Sequence, residues 1–76
     1  MTRESDRQKF VRLANARVSK AIRAIRLIGN LSNRSNYSYA DSDVEKIFRA
    51  LSVEIKQCRQ RFLNEAAGEL WTFKLE

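Results

Sequence analysis

The 76-residue chain contains no proline, no histidine, one cysteine and two glycines, and each scarcity closes off a class of structure. With glycine only at 29 and 68, helix-breaking residues are almost missing. Cys58 stands alone, so no disulfide forms within the chain, and without histidine neither a Cys/His metal site nor an imidazole-activated nucleophile can be assembled. No metal and no cofactor are expected. A lone thiol suits a reducing compartment. Residues 1–6 lack the apolar stretch of a secretory signal, and no apolar run approaches the roughly 20 residues that span a bilayer. The expectation is a cytoplasmic protein without a membrane partner.

The most informative absence is of acid. Between Asp6 and Asp41 there is no carboxylate, yet Lys9, Arg12, Arg17, Lys20, Arg23, Arg26 and Arg34 fall there. Almost all of the net charge of +6 sits in residues 1–32, while from Asn33 onward acid and base balance. A field of one sign on one element repels itself, so it marks a surface that meets an anionic partner.

What is present favours helices. From Asp6 onward Val11, Ala14, Val18, Ala21, Ile25 and Ile28 recur three or four residues apart, and Phe10 and Ile22 widen the stripe. At about 100° per residue, Lys9, Arg12, Lys20, Arg23 and Arg26 lie on the opposite side. Arg7 and Arg17 fall near the apolar side, where their stems can cover apolar surface. This spacing predicts a helix over about 5–29, with Gly29 as its stop and continuation to Leu31 left open.

Val44, Phe48, Leu51, Ile55, Cys58 and Phe62 alternate four and three residues apart, a coiled-coil-like seam widened by Ile47. Glu45, Lys46, Arg49, Glu54, Lys56, Arg59, Gln60 and Arg61 occupy its other faces and read as an ordinary solvated surface. The second helix is predicted over about 42–67. Beyond it two readings compete: Ala66, Leu70 and Phe73 carry the helix on to 74, or Gly68 ends it and Trp71, Phe73 and Leu75 alternate as a strand. The helix formers around Gly68 favour continuation. Two starts are open as well, a capping box of Ser42 with Glu45, or a cap at Ala40 with Tyr39 stapled on Val44. The connection, about 30–41, is rich in Asn and Ser and exceeds the usual length of about two to eight residues.

The fold expected is all-α: one domain over 1–76, an antiparallel helical hairpin. A hairpin buries one line of contact, whereas Phe10, Leu13, Ile22, Ile47, Trp71 and Phe73 add further apolar surface. A chain of this size has a marginal core. Pairing two hairpins into a four-helix bundle would bury both, so a homodimer is expected. The alternative is a monomer with its aromatic tail folded across the hairpin.

Lys9, Arg12, Lys20, Arg23 and Arg26, on successive turns, can neutralise backbone phosphates and release counterions. A row of charge can also serve solubility alone, but an exposed face kept only for that purpose ordinarily mixes signs to gain i,i+4 pairs. In the loop, Arg34 and Tyr37, with Asn30, Asn33, Asn36 and Tyr39, offer a cation, amides and rings able to hold unpaired bases. The same Asn and Ser residues also make side-chain turns, and Tyr39 beside the cap reads as structural. Cys58 reads as a small buried hydrophobe. Trp71 and Phe73 are either the end of the core or an anchor for a partner. With no nucleophile and base pair, paired carboxylates or Gly-rich phosphate loop, no enzymatic activity is expected.

The run Ala24-Ile25-Arg26-Leu27-Ile28-Gly29-Asn30-Leu31-Ser32-Asn33, then Asn36-Tyr37-Ser38-Tyr39 and Asp43-Val44-Glu45-Lys46-Ile47-Phe48, resembles a pattern in small bacterial proteins of unassigned function. The resemblance covers the central part of the chain and implies a bacterial or mobile-element origin but no activity. Ala40 stands where a capping hydroxyl would be expected. The inferred dimer of hairpins is similar in architecture to the plasmid ROP protein, an RNA-binding four-helix bundle, by shape only.

Two functions follow as expectations. The first is a non-enzymatic dimeric helical module that binds nucleic acid through the basic side of the first helix, with Arg34 and Tyr37 nearby. The second is a small adaptor or inhibitor, phage- or plasmid-borne, that docks an acidic protein.

Overall fold

The computed structural model describes the backbone of residues 3–75 and the side chains of residues 3–66. Helix α1, Asp6–Gly29, has 24 residues and is about 36 Å long. A 3₁₀ turn, Asn30–Ser32, follows it directly. Helix α2, Asp41–Leu75, has 35 residues and extends about 52 Å. Among the described residues there is no strand, so the all-α, two-helix, one-loop connectivity is as expected. The chain falls into two units, one ending at Ser38 and one beginning at Tyr39.

The start of α1 is fixed by a capping box that the sequence analysis did not place. Gln8 donates its backbone N–H to Ser5 Oγ at 3.1 Å, and Ser5 donates its own N–H to Gln8 Oε1 at 2.9 Å. Two otherwise orphaned donors are thereby satisfied, and Asp6 in the first turn complements the positive helix end. The other end corrects the role given to Gly29. At φ −59° and ψ −30°, this glycine is right-handed and makes no left-handed stop. Asn30 keeps helical dihedrals of −64° and −20°, and the backbone tightens into the 3₁₀ turn instead of breaking.

That turn shortens the loop to residues 33–40. Asn33 organises its first part: Oδ1 accepts from the Ser35 N–H at 3.0 Å and from Ser35 Oγ at 2.6 Å. The Asn33 carbonyl accepts from the N–H groups of Asn36 at 3.1 Å and Tyr37 at 3.0 Å. This is an Asx-type turn, in which a short side chain replaces a backbone acceptor.

Of the two starts open for α2, the one at Ala40 is realised. The Ala40 carbonyl accepts from Asp43 N–H at 3.0 Å and Val44 N–H at 3.4 Å, so Ala40 occupies the cap position. Having no side-chain acceptor, it is half compensated by Asp43, whose Oδ2 accepts the Ala40 N–H at 2.8 Å. Tyr39 and Val44 are both half-buried, at the two positions of a hydrophobic staple. The Ser42 and Glu45 alternative puts the cap inside the helix. Helix α2 then passes through Gly68 to Leu75, the helical continuation favoured by propensity and not the strand. The side chains of Trp71 and Phe73 lie outside the described residues.

Neither helix hides its apolar stripe. No described residue is buried; Val18 is 56% exposed and Phe62 is 62% exposed. Leu13, Ala14, Ile28 and Leu51 are half-buried. Cys58 is exposed, contrary to its expected burial, because a helix cannot cover its own outward face.

Two local faults are correctable. A Cβ at position 29 would meet nothing within 4 Å on ordinary helical dihedrals, so Gly29→Ala should stabilise α1 by roughly 0.5–1 kcal/mol. Ala40→Ser supplies the missing cap acceptor and should stabilise α2 by about 1 kcal/mol. Urea unfolding followed by circular dichroism measures both, and a lower midpoint in either variant would contradict this description of the helix ends.

Candidate nucleic-acid interface

Helix α1 places the five cations of the basic row on the side away from its apolar stripe, and Lys9, Arg12, Lys20, Arg23 and Arg26 are all exposed. The row is not evenly spaced along the helix. Lys20, Arg23 and Arg26 follow one another every three residues, with a rise of about 4.5 Å between neighbours, while Lys9 and Arg12 stand apart toward the N-terminus. The closely spaced trio is the densest concentration of positive charge on α1.

Arg12 differs from the rest. Its Nε lies 2.9 Å from Glu4 Oε2 and its Nη2 lies 3.0 Å from Glu4 Oε1, a two-pronged pairing of guanidinium and carboxylate. The side chains are 60% and 38% exposed, respectively. The hydrogen bonds from Arg12, and then its charge, hold the Glu4 carboxyl below its ordinary value; the same bonds raise Arg12. The fork that would grip a phosphate is therefore already occupied by a carboxylate. Sequence reasoning missed this pair because it looked for partners three or four residues away within the helix. Glu4 precedes the helix and reaches Arg12 from the non-helical lead-in. Among the described residues, Lys9, Lys20, Arg23 and Arg26 form no ion pair.

Arg7 takes the other position foreseen for it. Its guanidinium carbon lies 5.8 Å from the centre of the Phe10 ring, within cation–π range, and its stem follows the apolar stripe. Leu27 is the surprise, at 66% exposed. By the helical step it falls between Lys20 and Arg23, so the basic side carries an apolar residue that the periodicity analysis had assigned to neither face.

Arg34 and Tyr37 lie on the Asn33 turn, beyond the end of the row. Both are exposed, Tyr37 at 48%. The Tyr37 N–H is used by the turn, which leaves its ring as the part open to a ligand. Asn33 is different: its side-chain oxygen serves the turn, which favours the structural reading of that residue. Among the described residues no three His, Cys, Asp or Glu side chains gather as metal ligands, and no helix is long and apolar enough to cross a membrane.

The Glu4 and Arg12 pair makes a prediction with a definite sign. Because the folded Glu4 value is lowered, its contribution to stability is present above the ordinary glutamate range and is lost as pH falls through the lowered value. Carbon-detected NMR titration should place the Glu4 midpoint below the ordinary glutamate value, and Arg12→Gln should raise it. An unchanged midpoint in that variant would refute the pairing.

No protein-family model, curated protein or solved structure is significantly similar to this chain, and the resemblance noted from residues 24–48 therefore adds no support to a function.

Proposed function

We propose that the chain is a non-enzymatic helical module that binds the phosphate backbone of nucleic acid through Lys9, Lys20, Arg23 and Arg26, with Arg12 joining when a phosphate displaces Glu4. One observation carries this reading. Lys20, Arg23 and Arg26 stand exposed on consecutive turns with no acid partner among the described residues. Apart from Arg26, which complements the negative end of the helix from its last turn, the row gains nothing within its own helix, since neighbouring like charges repel. Arg34 and the ring of Tyr37 extend the surface past the helix end. Nothing in this surface reads base edges, so binding is governed by charge and is steeply dependent on salt.

The exposed seams support a second element of the proposal: two copies pair as a homodimer, in a four-helix bundle. Phe48, Ile55 and Phe62 are each more than half exposed in a single chain, at 55%, 59% and 62%, and an apolar stripe of that kind is stable in water only when covered. A self-complementary seam with the four-and-three repeat is what a coiled-coil partner covers.

Docking of an acidic protein is the second reading, and Leu27 favours it. An exposed leucine within the row gives the surface an apolar component that a phosphate backbone does not use.

Titration of labelled duplex DNA and an RNA hairpin decides between them. For about four phosphate contacts, affinity should fall roughly a hundredfold between 50 and 200 mM salt, and changing Lys20, Arg23 and Arg26 to Glu should abolish binding. Light scattering should return the mass of two chains. Absence of binding at low salt, with a stoichiometric acidic protein retained on purification from the native cell, would favour the second reading over the first.

A further inference from the structure

Helix α2 looks electrically unremarkable in sequence because its acids and bases nearly cancel. Laid on the helix, they separate. Taking the seam of Val44, Phe48, Leu51, Ile55 and Phe62 as the zero direction and about 100° per residue, Lys46, Arg49, Lys56 and Arg59 fall within an arc of roughly 140° that begins on one flank and runs round to the back. Asp43, Glu54 and Glu65 recur every eleven residues. Eleven residues are close to three full turns, so these acids line up along the opposite flank, with Arg61 among them. Asp41 and Glu45 are the carboxylates on the basic side, and both lie at the helix start, where the positive end of the macrodipole favours acid. From Lys46 to Ala66 the basic side carries no carboxylate.

All four cations are exposed, and none forms an ion pair among the described residues. Glu45 stands four residues before Arg49 and Asp43 three before Lys46, but neither pair closes among the described residues, and Lys56 and Arg59 have no acid three or four residues away. From Lys46 to Arg59 the row spans about 20 Å, or roughly six phosphate steps along one strand of a duplex. Lys46, Arg49 and Lys56 point away from the seam of their own helix, as the α1 row does from its own stripe, while Arg59 stands on the seam's flank. Cover over the seam therefore leaves at least Lys46, Arg49 and Lys56 open.

We infer that Lys46, Arg49, Lys56 and Arg59 form a second phosphate-contacting surface, and that nucleic acid is its partner. This rests on the nucleic-acid reading of α1 for the class of ligand, but not for the residues. Each chain then presents two cationic rows on separate helices, and α2 contributes to binding although the half of the sequence that contains it is neutral.

The test is the slope of log affinity against log salt for a labelled 30-base-pair duplex. Three neutralised variants are compared with the wild type: Arg49→Gln, Lys56→Gln and Arg59→Gln on α2; Lys20→Gln, Arg23→Gln and Arg26→Gln on α1; and Arg7→Gln, Arg17→Gln and Arg61→Gln as a control that removes the same charge away from both rows. Each lost phosphate contact lowers the slope by about 0.9, so the α2 variant should lose roughly two to three units and the control none. Where circular dichroism shows lost helicity in the triple variant, the single changes Arg49→Gln and Arg59→Gln replace it, each lowering the slope by about 0.9.

An α2 variant with the wild-type slope, beside a weakened α1 variant, overturns this inference and leaves the α1 reading standing. A weakened α2 variant beside an unaffected α1 variant does the reverse. A control weakened as much as the α2 variant shows that only net charge matters and overturns the inference, as does a wild type that fails to bind.

Discussion

The repeat of the α-helix, close to 3.6 residues per turn, is the constraint on which the rest of this molecule depends, because it converts position in the chain into direction around an axis. In α1 it gathers Val11, Val18 and Ile25 on one side and Lys20, Arg23 and Arg26 on another. In α2 it separates three directions: an apolar seam, a line of acids and a row of cations. Each helix thus presents one surface that water disfavours and one that water and counterions cover. The apolar surface calls for another protein surface, and the cationic one for an anion. Since the two point apart, satisfying one leaves the other free.

The ends of the helices show how local chemistry keeps these directions in register. Ser5 and Gln8 fix where α1 begins, and Ala40 with Asp43 fixes where α2 begins. A shift of one residue would rotate every side chain by about 100° relative to the cap. Between the helices, Asn33 spends its side chain on the turn, which leaves Arg34 and Tyr37 on the surface of a defined loop. Glu4 acts on charge more than on shape. By holding Arg12 through both prongs of its guanidinium, it removes one cation from a row whose other members form no ion pair among the described residues.

Much of this was legible in the sequence, for physical reasons. The helices follow from the three-and-four spacing of apolar residues, and their extents from the scarcity of glycine and proline, so that even Gly68 fails to interrupt α2. The cap at Ala40 was legible only as an alternative, because alanine carries no signal of its own and Asp43 supplies the bond from three residues on. The end of α1 at Gly29 was legible, but not its mechanism: a glycine near a helix end suggests a left-handed cap, whereas here the backbone keeps a negative φ and tightens into a 3₁₀ turn. The basic side of α1 was legible as a row, whereas the engagement of Arg12 was not, since it depends on a residue outside the periodic stretch. On α2, counting charges concealed what angles reveal. Lys46, Arg49, Lys56 and Arg59 mix with acids in sequence, but from Lys46 to Ala66 no carboxylate shares their side of the helix.

The central claim is that the cationic sides, and not the apolar stripes, meet the ligand. NMR of isotope-labelled protein titrated with a short DNA duplex tests it residue by residue. The account predicts shifts at the guanidinium groups of Arg23, Arg26, Arg49 and Arg59, with the methyl groups of Val18, Ile25 and Ile55 unmoved. Shifts concentrated on those methyl groups, or none at the four arginines, would contradict it.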